Sequence, residues 1–160
     1  MKKQSKKNGY GLVEIVVGSA IIATVLASAV FAVTEIRRLD ERTTFTIRAN
    51  YLLLEAVDVI KIFRDNSWTT EVATLSLDTP YYLVWESSTW NATTSQNVID
   101  GTFYRTVTLS AVNRDGNDNI ASVGTLDTGT LKVTATAAWS FANSTTTKTF
   151  ETYVTDLYGN

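Results

Sequence analysis

The sequence offers few side chains suited to catalysis. It contains no histidine and no cysteine, which excludes the commonest general base, thiolate nucleophiles and disulfides. Paired carboxylates could still perform general acid–base chemistry. The acidic residues that could contribute to such a pair are Asp78, Glu86, Asp100 and Glu151. Their spacing singles out no pair, so the sequence predicts no catalytic site, no cofactor and a protein that is not an enzyme.

One loop has the oxygen-rich composition of calcium sites. In "DGNDN" the residues Asp115, Asn117 and Asn119 alternate as ligands do in an EF-hand. However, Ile120 occupies the position at which that loop requires glycine, and no glutamate closes it. A turn built from residues that tolerate left-handed backbone explains the same composition. We therefore favour the turn and keep calcium as the alternative.

A lone carboxylate precedes the longest apolar segment. Glu14 is followed by 20 uncharged residues, Ile15–Thr34, about the length that crosses ~30 Å of hydrocarbon as a helix. An ionised carboxylate at the bilayer centre costs roughly 2.5–3.5 kcal/mol. Either Glu14 reaches the headgroup level, or a positively charged partner compensates for it.

Charges flank this segment asymmetrically. Lys2, Lys3, Lys6 and Lys7 precede it, whereas arginines and acids are mixed after it. This asymmetry predicts a cytoplasmic N-terminus, with the residues after 35 outside. A cleavable secretory signal is the alternative, because Ala27–Ala29 has the A-x-A pattern of a signal-peptidase site.

The net charge bears on possible partners. Ten basic and 16 acidic side chains follow residue 9, so this part of the chain carries a formal charge of −6. Such a charge disfavours a phosphate backbone, and nucleic acid is unlikely as the default partner.

Helical periodicity continues beyond the apolar segment. No glycine or proline occurs in residues 35–66, and apolar residues recur there at spacings of three and four. One set is Ile36, Leu39, Thr43, Ile47, Tyr51 and Leu54, and the other is Leu53, Val57, Ile60 and Phe63. We expect one helix from Tyr10 to about Asp65. Its first half needs lipid or other copies of itself as cover, and its second half needs a domain that rests on it.

From Ser67 onward the pattern predicts antiparallel strands separated by turns. Strands are expected at residues 79–86, 102–112, 131–141 and 146–157, and turns at residues 113–118 and 127–129. The inward residues would be Phe103, Val107, Leu109 and Ala111 in one strand and Leu131, Val133, Ala135, Ala137, Trp139 and Phe141 in the next. The predicted fold class is α+β, with the distal half of a long N-terminal hydrophobic helix packed on the apolar face of an antiparallel sheet.

The N-terminal residues resemble those of type IV prepilins and related pseudopilins. The matching residues are Gly9, Tyr10, Leu12, Val13 and Glu14, followed by "IVVGSAIIATVLASAV", and they cover about the first quarter of the chain. In that family a membrane peptidase cuts after the glycine and methylates the new N-terminal residue. The resemblance therefore implies cleavage between Gly9 and Tyr10 and N-methylation of Tyr10. The sequence departs from many pilins in lacking a proline in the membrane helix and a C-terminal cysteine pair.

The resemblance also implies a role for Glu14. In that family the positively charged amine of a mature subunit can meet the glutamate of a neighbour, which sets the register of assembly. A pair of unit charges at ~4 Å is worth about 4 kcal/mol at an effective dielectric near 20, comparable with the insertion cost. The helix residues expected to enter the membrane and to polymerise are Leu12, Val13, Ile15, Val16, Val17, Ile21, Ile22, Val25 and Leu26.

Together these features predict a structural subunit of a type IV pilus or pilus-like filament. The expected parts are a leader (1–9), a transmembrane and polymerising half-helix (10–34), an amphipathic distal half (35–66) and a β domain (67–160). The expected partners are pilin subunits in a homo- or hetero-oligomeric filament, a prepilin peptidase, the cytoplasmic membrane and the pilus assembly machinery. The precursor would span the cytoplasmic membrane once, and the filament would lie at the cell surface. The alternatives are a minor pilin or type II secretion pseudopilin and, in another class, a single-pass membrane-anchored extracellular binding module.

Overall fold

One long helix, α1, precedes the strands in the described residues. The computed structural model of the chain describes residues 10–141 and 144–159, and α1 spans Tyr10–Asn66. Ser67 follows in extended conformation, and its Oγ accepts a hydrogen bond from the Thr70 amide, which caps a π-helical turn at Trp68–Val72. The helix predicted from Tyr10 to about Asp65 is confirmed.

In the part of the chain that the structure describes, seven strands form one antiparallel sheet. They are β1 (Tyr81–Glu86), β2 (Thr89–Thr93), β3 (Val98–Ile99), β4 (Phe103–Arg114), β5 (Ile120–Ala121), β6 (Thr125–Phe141) and β7 (Ser144–Thr155). The strand order is β2-β1-β4-β6-β7, and the short strands β3 and β5 also pair with β4. The expected α+β fold, like that of type IV pilins, is confirmed.

Contacts divide the chain into two compact units, residues 1–43 and residues 44–160. The predicted boundaries after residues 9, 34 and 66 follow changes in composition and stay predictions. We call the described residues of the two units the helical unit and the sheet unit.

The core of the sheet unit lies between α1 and one face of the sheet. On α1 the buried residues include the predicted stripe Leu53, Val57, Ile60 and Phe63, together with Ala49, Ala56 and Val59. The sheet contributes alternate residues of its strands: Leu83, Phe103, Val107, Leu109, Leu131, Val133, Ala135, Ala137, Trp139 and Val154. Burial of these two apolar faces against each other is the main contribution to the stability of this unit.

A bulge between β4 and β6 corrects two predictions. Ala111 pairs with Leu131, but the next residue, Val112, pairs with Asp127, so β6 accommodates three additional residues at this point. Because the register shifts here, Val112 is buried and Ala111 is exposed, where the alternation predicted an inward Ala111. The prediction that a turn at residues 127–129 precedes the strand is also wrong, because these residues lie within β6. There Asp127 Oδ1 accepts a hydrogen bond from the Gly129 amide at 2.9 Å.

Candidate functional site

The helical unit exposes nearly all of its apolar side chains. Each of the nine residues expected to enter the membrane is more than half exposed in the unit itself: Leu12, Val13, Ile15, Val16, Val17, Ile21, Ile22, Val25 and Leu26. Of the described residues, α1 forms the one helix that is long and apolar enough to cross a membrane. The span would lie in its N-terminal part, because the uncharged residues are there.

The hydroxyl groups in this segment are hydrogen-bonded within the helix, so they are compatible with a membrane. Ser19, Thr24 and Ser28 each donate a hydrogen bond to a carbonyl oxygen three or four residues earlier, at 2.8–2.9 Å. Thr34 does the same to Val30 at 2.9 Å. Since polar groups in hydrocarbon must be satisfied internally, these bonds make the segment compatible with lipid or with a dry helix–helix contact.

Glu14 is exposed and lies one helical turn after Tyr10. No hydrogen bond or ion pair joins its carboxylate to another of the residues that the structure describes. Gly9 and the rest of the expected leader lie outside the described residues, and of Tyr10 only the backbone is described. The expected cleavage and methylation sites therefore stay predictions.

The sheet unit exposes further apolar residues on α1. Ile47, Tyr51 and Leu54 occupy the first periodic set recognised in the sequence, and all three are at least half exposed. They lie on the same helix as the buried Leu53 and Ile60. The sheet thus covers one side of this part of α1 and leaves an apolar stripe uncovered.

The oxygen-rich loop at residues 115–119 is an internally bonded turn. Asp115 Oδ1 accepts hydrogen bonds from the amides of Asn117 (2.8 Å) and Asn119 (3.0 Å). These bonds hold the pKa of the Asp115 carboxyl below its ordinary value, because they favour its ionised form. Asp118 adopts a positive φ of 65° in the same turn. Among the described residues, no three acidic, histidine or cysteine side chains are grouped as metal ligands would be.

The candidate acid–base carboxylates have different partners. Asp78 accepts a hydrogen bond from Ser110 Oγ at 2.5 Å, and Asp100 pairs with Arg48 at 3.0 Å. Glu151 pairs with Lys132 at 2.7 Å. Glu86 is the last residue of β1 and is exposed. Each of the three paired carboxylates anchors a local contact of the sheet unit.

The alternation in β4 also buries an arginine that the sequence analysis did not select. Arg105 is 3% exposed, pairs with Glu55 of α1, and donates to the Leu83 carbonyl at 3.0 Å. Its guanidinium lies 5.3 Å from the centre of the Trp90 ring. Burial lowers the pKa of Arg105, and Glu55 opposes this shift. The alternation of β4 places residue 105 inward, which is the signal that identifies it. The pair links α1 to the middle of the sheet.

Comparison of the chain with protein-family models, with curated proteins and with solved structures gives no match. The N-terminal motif and the exposed apolar surfaces of α1 are therefore the features that point to a function.

Proposed function

We propose that this chain is a structural subunit of a type IV pilus or a pilus-like filament, held in the cytoplasmic membrane as a precursor and polymerised through the first part of α1. One observation carries the proposal: α1 exposes apolar side chains beyond any membrane-length segment. Ile47, Tyr51 and Leu54 are exposed in the sheet unit, more than ten residues after Thr34, the end of the uncharged segment.

A membrane anchor accounts for only part of this surface. The segment Ile15–Thr34 is sufficient to cross ~30 Å of hydrocarbon. Apolar residues that follow it on an ordered helix need cover from protein, since contiguous exposed apolar surface marks an interaction site. In a filament, helices of neighbouring subunits supply that cover. This requirement favours a filament subunit over a single-pass binding module.

The charge on Glu14 supports the same proposal. Cleavage after Gly9 would create a positively charged amine on Tyr10, one helical turn before Glu14. Within one subunit the two groups lie on the same helix, but between subunits only one axial offset aligns the amine with the carboxylate. Their attraction, about 4 kcal/mol at ~4 Å and a dielectric near 20, would select that axial position. It would also compensate for the cost of placing a carboxylate in an apolar environment.

Intact mass and N-terminal sequencing of the exported protein test the processing step. We expect a chain that begins at Tyr10 and carries one additional methyl group. A chain that begins at Val30 would identify a secretory signal and contradict the proposal. A chain that begins at Met1 would favour the anchored binding module.

Substitution of Glu14 tests the assembly step. Glu14→Ala should leave membrane insertion and processing intact but reduce the amount of protein in sheared, sedimented filaments at least tenfold. The lost contact is worth about 4 kcal/mol, and a loss of about 1.4 kcal/mol already lowers an equilibrium constant tenfold. Glu41→Ala, which removes an exposed carboxylate from the same unit, is the matched control and should assemble like the wild type. Equal assembly of Glu14→Ala and the wild type would remove the register role.

A further inference from the structure

The two edges of the sheet differ in how they are protected. At one edge β2 has five residues. At the other, β7 has 12 residues and pairs with β6 through 12 consecutive partners without a bulge. Among the described residues β6 is the only strand that pairs with β7. Alternate N–H and C=O groups of β7 therefore face away from the sheet along its whole length.

Strand β7 has few of the features that prevent an edge strand from pairing with another chain. Natural edge strands are often short or bulged, or carry proline or charged side chains, particularly lysine. β7 contains no proline, its register is unbroken, and its charged residues are Lys148 and Glu151. Phe150 and Tyr153, on opposite faces of the strand, are each nearly half exposed. A long regular edge with apolar side chains is a template for a further strand.

We propose that β7 pairs antiparallel with β7 of a second copy of this chain. The length of the edge identifies the occupant. β2 presents five residues and could satisfy less than half of the β7 edge, whereas a second β7 matches all of it. A strand paired with itself forms a two-fold contact, which closes after two copies. This symmetry reverses the direction of the part of α1 that packs on the sheet, so the contact joins two copies that are not neighbours in one polar filament.

Charge selects the register of this contact. The two registers with the longest overlap place either Thr149 or Phe150 opposite its own copy. With Thr149 at the centre, the two Lys148 side chains become diagonal neighbours at about 7–8 Å, and Lys148 donates to a neutral amide oxygen, that of Asn50, at 3.4 Å. With Phe150 at the centre, the diagonal neighbours are instead the two Glu151 side chains, whose charges are compensated by Lys132.

The register centred on Phe150 therefore avoids uncompensated like charges. It also places the two Phe150 rings opposite each other, and aromatic cross-strand pairs stabilise sheets. Tyr153 then lies opposite Thr147 of the second copy. These pairings specify which positions can be cross-linked.

Single cysteines test the contact directly, because the natural chain contains none. In the full chain in detergent micelles, Phe150→Cys should form a disulfide-linked dimer on mild oxidation, since opposite residues of antiparallel strands are within disulfide reach. Thr147→Cys should form this dimer at least tenfold more slowly, because its own copy lies about 20 Å away. Mixing Thr147→Cys with Tyr153→Cys should restore rapid cross-linking.

A charge substitution tests the same contact without cysteine. Phe150→Lys places two lysines opposite each other and should raise the dissociation constant of the dimer about tenfold or more. Val123→Lys adds the same charge at an exposed apolar residue outside β7 and is the matched control. Circular dichroism establishes that both variants are folded. If Phe150→Lys does not fold, the cysteine result decides.

The outcomes separate this proposal from the filament function. Cross-linking at position 150 that persists with Glu14→Ala supports the β7 contact whether or not filaments form. Equal cross-linking rates for Phe150→Cys and Thr147→Cys, or equal association of the two lysine variants, would overturn it and leave the filament proposal untouched.

Discussion

The part of α1 up to Thr43 and the part from Thr44 to Asn66 contain apolar residues at about the same frequency, and they differ in what covers them. In the second part the sheet buries one side of the helix, including Ile60 and Phe63. In the first part the described apolar side chains are mostly exposed, for example Leu12 and Phe31. Hydropathy alone does not distinguish these environments, because the same residue types serve in a water-excluded core, in lipid and in a contact between subunits.

The largest expected effect contrasts two phenylalanines. Phe103 is 1% exposed and its ring packs against Phe45 at 5.7 Å and Trp139 at 5.9 Å, whereas Phe31 is 71% exposed. Phe103→Ala should lower the free energy of unfolding by about 3–5 kcal/mol. Phe31→Ala should change it by less than about 0.5 kcal/mol. Urea unfolding of the full chain in detergent, followed by tryptophan fluorescence, measures both. Similar losses would mean that the helical unit shares the core.

A second contrast introduces a charge at an exposed valine of each unit. Val25 and Val123 are 62% and 82% exposed. Val25→Asp should make membrane insertion less favourable by about 3 kcal/mol, which lowers the equilibrium ratio of inserted to non-inserted protein roughly 100-fold. Val123→Asp should insert like the wild type. The alkali-resistant membrane fraction reports the difference. Normal insertion of Val25→Asp would show that lipid does not cover this segment.

A third contrast uses glycines within the sheet unit. A Cβ at Gly124 would lie 2.0 Å from the Arg114 carbonyl oxygen, whereas a Cβ at Gly116 would meet no atom within 4 Å. Gly124→Ala should destabilise the sheet unit by about 1–3 kcal/mol, since backbone must move. Gly116→Ala, in the loop between β4 and β5, should stay within about 0.5 kcal/mol of the wild type. Thermal unfolding compares the two, and equal melting temperatures would contradict the close approach.

The smallest expected effect is a pH dependence of stability that is confined to the sheet unit. Arg114 donates to Asp127 at 2.6 Å and holds the pKa of that carboxyl below its ordinary value. A carboxyl whose pKa is lower in the folded state stabilises that state above its unfolded pKa, about 3.9. This stabilisation is lost as the pH falls through the lowered folded pKa. Asp127→Asn should therefore be less stable than the wild type at pH 7, with a difference that shrinks below about pH 4.

Melting temperatures between pH 7 and pH 2.5 measure this convergence, and Glu86→Gln, at the exposed end of β1, is the control. A difference between Asp127→Asn and the wild type that stays constant with pH would show that the Arg114 contact does not depend on the charge of Asp127. Residues 15–34 contain no titratable side chain, so helix content in that segment should not follow the same transition.

Local patterns were sufficient for most of the fold. The periodicity of Leu53, Val57, Ile60 and Phe63 predicted the buried side of α1, and the alternation in residues 131–141 predicted the inward face of β6. The short strands β2, β3 and β5 were not predicted. Their pairing depends on partners distant in sequence, which propensity does not describe.

The errors have the same origin. The register shift after Ala111 arises because Val112 of β4 pairs with Asp127 of β6. The sequence Asp-Thr-Gly is equally compatible with a turn or a bulge, so it does not predict this pairing. Among the proposed site residues, Glu14 and the apolar helix positions were selected from the length and charge pattern of the sequence. The uncovered stripe at Ile47, Tyr51 and Leu54 could not be distinguished from the buried one, because which of two apolar sets the sheet covers is decided by tertiary packing.

The order of elements along the chain has a consequence for biosynthesis. The helix face that contains Phe63 leaves the ribosome long before its cover, because Val133 and Val154 follow about 70 and 90 residues later. At 5–20 residues per second this interval is roughly 5–20 s. Throughout that time an apolar helix surface has no intramolecular partner. The nascent chain therefore needs a temporary cover, from a lipid surface or from a chaperone that binds amphipathic helices, until the last long strand is synthesised.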